Sequence, residues 1–129
     1  MPTPPSTLGM TPGFARWRVV HIVASGTVTL LALVHAALTL PLYRRWSPDA
    51  AWFLGTGLGL LLVGSLNLTH LGHEPCQRPT AWFVRVTNWA FAVFGALALV
   101  AIPEPQAYVL VAGLVAQAVA GHRTLPGPD

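Results

Sequence analysis

The feature that most constrains this chain is the spacing of its charged residues. None falls between Arg18 and Arg44, between Asp49 and Glu74, or between Glu104 and Arg123, and 80–102 holds only Arg85. A helix rises about 1.5 Å per residue, so roughly 20 apolar residues cross a hydrocarbon core of about 30 Å. The chain therefore reads as an all-α membrane protein, with four transmembrane helices in an up-down antiparallel bundle. The expected spans are 19–42, 50–71, 81–102 and 106–121. The fourth is the shortest.

Composition supports the same class. Hydrophobic residues make up 53% of 129 and charged residues 9%, against about 25% charged in soluble domains. So few polar groups cannot cover a soluble surface, and the bilayer becomes the expected partner. All seven basic residues are arginine. With the Ala, Gly, Pro, Val and Leu bias, this suggests a GC-rich bacterial genome. The arginines flank apolar runs instead of forming an aromatic-interleaved basic patch, so no nucleic-acid partner is implied. The single cysteine, Cys76, excludes an intrachain disulfide and a C-x-x-C motif.

Residues 1–15 are rich in Pro, Thr, Ser and Gly and read as a disordered tail. Residues 16–123 form one transmembrane domain, and 124–129 a C-terminal tail. Trp17 with Arg16 and Arg18 anchors the first span. Pro41 and the segment around Arg44, Arg45 and Trp46 end it. Ser47 or Asp49 can cap the second helix, with Pro48 near its first turn. A cleavable signal peptide ending near Ala36 is the alternative for the first span, but the apolar stretch runs on too far beyond it.

With four spans, Arg16, Arg18, Arg78, Arg85 and Arg123 fall on one side, and Arg44 and Arg45 on the other. Cytoplasmic segments carry the excess of basic residues. Both termini are therefore expected in the cytoplasm, and the protein in a bacterial inner membrane.

Small residues mark close helix approaches. The second helix carries Gly55-x-x-x-Gly59, and the fourth carries Ala112, Ala116 and Ala120. Such spacing serves either a homodimer or larger complex, or seams inside one bundle. Internal packing is the favoured reading.

Polar side chains inside apolar spans are the candidate site. His21, Ser25, His35 and Thr39 share one face of the first helix at about 100° per residue. Asn67 and His70 lie late in the second helix, Asn88 early in the third and Gln117 late in the fourth. In an up-down bundle all of these except His35 and Thr39 gather in the half nearer the termini.

Several chemistries are open to this set. His70-x-x-His73-x-x-Cys76 offers nitrogen and sulfur ligands of the kind zinc or copper accepts, though Pro75 breaks a regular helix through it. His21 with His70 could hold one haem. Transport by proton coupling lacks an intramembrane carboxylate. The remaining reading is that the polar groups bond to one another and set helix register. No nucleophile elbow, P-loop, His-Glu-x-x-His motif or paired carboxylates are present. No cofactor is firmly implied, and the activity reads as non-enzymatic.

The stretch Leu33-Val34-His35-Ala36-Ala37-Leu38-Thr39, with Tyr43-Arg44-Arg45-Trp46-Ser47-Pro48-Asp49-Ala50-Ala51-Trp52-Phe53, Gly55-Thr56-Gly57-Leu58 and Asn67-Leu68, resembles small uncharacterised bacterial four-helix membrane proteins. The likeness covers the first two helices and implies the membrane class, with no activity attached. The expected function is a membrane scaffold or accessory subunit acting through helix contacts. The competing expectation is a metal- or haem-binding redox or transport component.

Overall fold

The computed structural model describes residues 12–72, 78–101 and 103–125. They form four helices: α1 (Pro12–Leu42), α2 (Pro48–Gly72), α3 (Arg78–Ala101) and α4 (Pro105–Thr124). No strand occurs among the described residues. α1, α2 and α3 are each long and apolar enough to cross a membrane.

The helix boundaries follow local chemistry. Proline lacks a backbone N–H and suits the first helical turn, where that donor has no partner. Pro12, Pro48 and Pro105 each open a helix. Ser47 takes the capping role at α2: the Ala50 N–H donates to its Oγ at 3.2 Å, and the Ala51 N–H donates to its carbonyl at 3.0 Å. At α4 the Gln106 amide donates to the Glu104 carboxylate. Pro41 lies in the last turn of α1, where little helix remains to be disturbed.

Three boundaries differ from the sequence reading. Residues 12–15, expected in the tail, form the first turn of α1. α3 begins at Arg78, before the apolar run, and α4 continues to Thr124. The physical reason is common to all three. Charge-free length measures what an apolar slab can hold, whereas backbone hydrogen bonding continues into the polar flanks. The rest of the expected N-terminal tail, His73, Cys76 and residues 126–129 lie outside the described residues.

α1 packs most extensively on α2 and then on α4. α3 packs on α4 and only narrowly on α2. The result is a ring of neighbours in chain order, as short connections between consecutive helices favour. Inward positions recur at steps of three and four: His21, Ser25, Val28 and Ala32 in α1, Leu60, Val63, Gly64 and Asn67 in α2, and Ala81, Val84, Asn88 and Ala92 in α3 are buried. That spacing is the seam of a near-antiparallel bundle.

The central layer is apolar. Val28, Ala32, Leu60, Ala92, Leu114 and Ala118 form one buried cluster, with Leu61, Phe91 and Leu110 against it. The outer faces are apolar too. Val23, Leu40, Trp52, Leu62, Leu97 and Val100 are exposed, Val100 by 85%. Monomeric soluble proteins seldom expose contiguous apolar patches beyond a few hundred Å². Here such residues lie on every helix.

The glycines that bring α1 and α2 together are Gly57 and Gly64. A Cβ on Gly57 would lie 3.1 Å from the Ala36 nitrogen and 3.2 Å from His35 Cδ2. On Gly64 it would overlap Thr29 Oγ1 and lie 3.2 Å from the Ser25 carbonyl. The expected packing pair behaves otherwise: Gly55 is exposed with open space around it, and Gly59 makes ordinary contact with the Phe91 ring at 3.5 Å.

The three alanines of α4 also separate. Ala120 is fully buried, Ala116 half-buried and Ala112 exposed. Four residues turn a helix by about 400°, so each four-residue step drifts roughly 40° off a straight seam. Ala120→Leu is therefore expected to destabilise the bundle by about 1–3 kcal/mol. Ala112→Leu should leave it nearly unchanged. Thermal unfolding in detergent, followed by tryptophan fluorescence, distinguishes the two. Equal effects would contradict this inward–outward assignment.

Candidate polar site between the four helices

The polar site is assembled from one face of each helix. α1 supplies His21, α2 Asn67, α3 Asn88, and α4 Gln117 and Thr124. His21, Asn67, Asn88 and Gln117 are each 1% exposed or less. Most polar groups at that depth have partners, since an unsatisfied one costs about 1–3 kcal/mol.

Asn67 is the hub, and its orientation is set by its own helix. Its Nδ2 donates to the Val63 carbonyl at 2.8 Å. A carbonyl can only accept, so the amide nitrogen must face it. The same nitrogen donates to Asn88 Oδ1 at 2.7 Å, and Asn88 Nδ2 donates back to Asn67 Oδ1 at 2.8 Å. This is a reciprocal amide pair between α2 and α3, the two neighbours with the narrowest contact. Gln117 Nε2 donates to Asn88 Oδ1 at 3.0 Å and brings in α4.

His21 joins α1 to the same hub. Its Nε2 lies 2.7 Å from Asn67 Oδ1. Because that oxygen only accepts, Nε2 carries the proton. The other ring nitrogen, Nδ1, lies 2.8 Å from Thr124 Oγ1. A singly protonated ring accepts there from the threonine hydroxyl, which also lies 2.9 Å from the Ala120 carbonyl. Gly121 makes room for this arrangement. A Cβ there would meet Asn88 Nδ2 at 3.0 Å and His21 Cε1 at 3.5 Å.

Arginines gather near this end of the bundle. Arg18 donates to the Leu71 carbonyl at 3.1 Å, at the end of α2. Arg85, about two turns inside α3, donates to the Leu125 carbonyl just past α4. The Arg123 guanidinium lies over the Trp17 ring at 5.7 Å. Arg44 and Arg45 are exposed beyond the other end of α1.

The eight candidate polar positions are therefore divided, and His35 and Thr39 lie apart as expected. His21, Asn67, Asn88 and Gln117 form the network. Ser25 is buried one turn from His21, and its Oγ has no partner among the described residues. His70 is half-buried in the last turn of α2. His35 and Thr39 lie toward the opposite end of α1. The His35 ring stacks on Phe53 with centroids 3.6 Å apart, and Phe53 also meets Tyr43.

Thr124 is the network member that sequence reasoning missed. It stands three residues after Gly121 and seven after Gln117, on the same helical face, so continuing that stripe past the apolar run would have found it. Among the described residues, no group of three or more His, Cys, Asp or Glu side chains is placed to hold a metal. Both His21 ring nitrogens already face protein oxygens, which leaves neither directed at an iron or zinc ion. Of the expected ligand set His70, His73 and Cys76, only His70 is described.

Set against known proteins, the chain matches no family model, no curated protein and no solved structure.

Proposed function

We propose that this protein is a four-span bundle of a bacterial cytoplasmic membrane that acts, without catalysis, as a scaffold or accessory subunit through its helix faces. The observation that carries the reading is the hydrogen-bonded set His21, Asn67, Asn88, Gln117 and Thr124. These side chains come from all four helices and hydrogen-bond to one another. Groups bound in this way fix helix register and are not presented to a substrate. What remains for a partner is the apolar exterior.

α4 needs its own argument, because it is less apolar than the other three. Its 20 residues are long enough to cross a hydrocarbon core. Its polar Gln117 and small Ala118, Ala120 and Gly121 are buried against its neighbours, so they need not meet lipid. The gathering of Arg18, Arg85 and Arg123 near one end supports cytoplasmic termini by the positive-inside rule. Exposed Trp46, Trp52 and Trp82 near helix ends suit interfacial anchoring.

The test is affinity capture after mild detergent extraction and membrane crosslinking, with light scattering for stoichiometry. The expected result is a stoichiometric partner or a self-assembled oligomer. A strict monomer with no co-purifying protein would count against the scaffold. Elemental analysis of untagged protein beside His70→Ala tests the metal reading. Near-stoichiometric iron, zinc or copper that falls in the variant would replace the scaffold by a metal-binding component. A C-terminal reporter read as periplasmic would reverse the orientation.

A further inference from the structure

Four helical threonines, Thr27, Thr29, Thr56 and Thr69, donate their hydroxyl protons back to the carbonyl four residues earlier, at 2.8–2.9 Å. That is the usual resting place of a hydroxyl in an apolar helix. Ser25 behaves differently. Its Oγ is buried, has no partner among the described residues, and belongs to a side chain with no exposure at all. Gln117 Oε1 is in the same position. Its amide cannot be turned over to hide the oxygen, because Asn88 Oδ1 is an acceptor and requires the Gln117 nitrogen.

These two atoms lie at the same level of the bundle. α1 and α4 run antiparallel, with Gly121 against His21 and Gly113 against Val28. Ser25 is four residues beyond His21 on α1, and Gln117 is four residues before Gly121 on α4. The α2 neighbour at this level is Gly64, whose missing side chain faces the Ser25 carbonyl. A buried donor and a buried acceptor therefore stand at one level of the bundle interior, on adjoining helices.

We propose that Ser25 Oγ and Gln117 Oε1 form a binding site for one buried water molecule. The water donates one proton to Gln117 Oε1 and accepts the Ser25 hydroxyl proton. Internal waters usually make two to four hydrogen bonds to groups that would otherwise lack partners. The site extends the polar network toward the bundle centre, and it ends where Val28, Leu114 and Ala118 close the apolar layer. This site rests on the bundle's interior geometry and not on the scaffold reading, so each can fail alone.

The test is water-detected NMR on glutamine- and asparagine-labelled protein in nanodiscs, followed by the same measurement on Ser25→Val, whose larger side chain fills the site. The wild type is expected to show a cross-peak between long-lived water and the Gln117 amide protons. In Ser25→Val that cross-peak should disappear while the Asn67 and Asn88 side-chain signals stay dispersed. A wild-type Gln117 amide with no water contact and a protected Ser25 hydroxyl proton would overturn the proposal in favour of a direct bond. A cross-peak that survives in a folded Ser25→Val protein would overturn it as well. Should that variant fail to fold, the wild-type measurement alone decides.

Discussion

Gly64→Ala is expected to destabilise the bundle by about 2–3 kcal/mol, at the upper end of what overpacking a close contact costs. One methyl group produces this because of where it would land. It overlaps Thr29 Oγ1 and approaches the Thr29 nitrogen and the Ser25 carbonyl at 3.1 and 3.2 Å. The hydroxyl can rotate away, but the two backbone atoms belong to a helix that must move as a body. Moving α1 away from α2 also pulls His21 from Asn67, so steric and polar losses add. Gly55→Ala is the control. Gly55 has open space around it, so the substitution should be neutral or stabilise slightly through helix propensity. Combining Gly64→Ala with Thr29→Ala removes the worst overlap and should recover part of the loss. Reversible unfolding in mixed micelles measures all three. A Gly64→Ala protein as stable as Gly55→Ala would show that α1 and α2 do not approach in this way.

The second large effect is expected at Asn67. Truncation to alanine removes the acceptor of His21 Nε2 and both halves of the amide pair with Asn88. Individual interhelical hydrogen bonds in membranes average only about 0.6 kcal/mol, with a maximum near 1.7. Three lost together, with buried groups left unpaired, should amount to about 2–3 kcal/mol. Ser65→Ala, on the exposed side of α2, should change little. The pairwise part follows from the double-mutant cycle of Asn67→Ala with Asn88→Ala. The expected coupling is about 1 kcal/mol, with the double variant less damaged than the sum of the singles. Strict additivity would mean that the two amides do not act as a pair. A loss confined to α2–α3 packing would show that His21 is held by Thr124 alone.

Much of this architecture was legible before any coordinates. Charge-free length gives the helices, because few other structures satisfy their own backbone in an apolar slab. Ser47 and Pro48 give the start of α2. The polar stripe of α1, with Asn67, Asn88 and Gln117, gives the candidate site, because such groups in apolar spans must find one another. Thr124 was hidden by the habit of ending a helix where its apolar run ends. His35 and Thr39 could not be joined to the network, since they lie about four to five turns beyond His21 along α1, and His35 stacks on Phe53 instead.

By itself, the sequence determined that four helices form and that their polar residues turn inward, whereas the structure shows three of the four long and apolar enough to cross a membrane. Tertiary structure alone decided which small residues form the seams. Four-residue spacing, as in Gly55–Gly59 or Ala112–Ala116–Ala120, drifts about 40° per step around a helix. Seven-residue spacing, as in Gly57–Gly64, returns to within about 20° of the same line. A nearly antiparallel bundle follows the second, whereas a steep right-handed crossing would have followed the first. The crossing angle is a property of helix pairs and not of any one segment. Which glycines touch is therefore settled only when α1 and α2 meet.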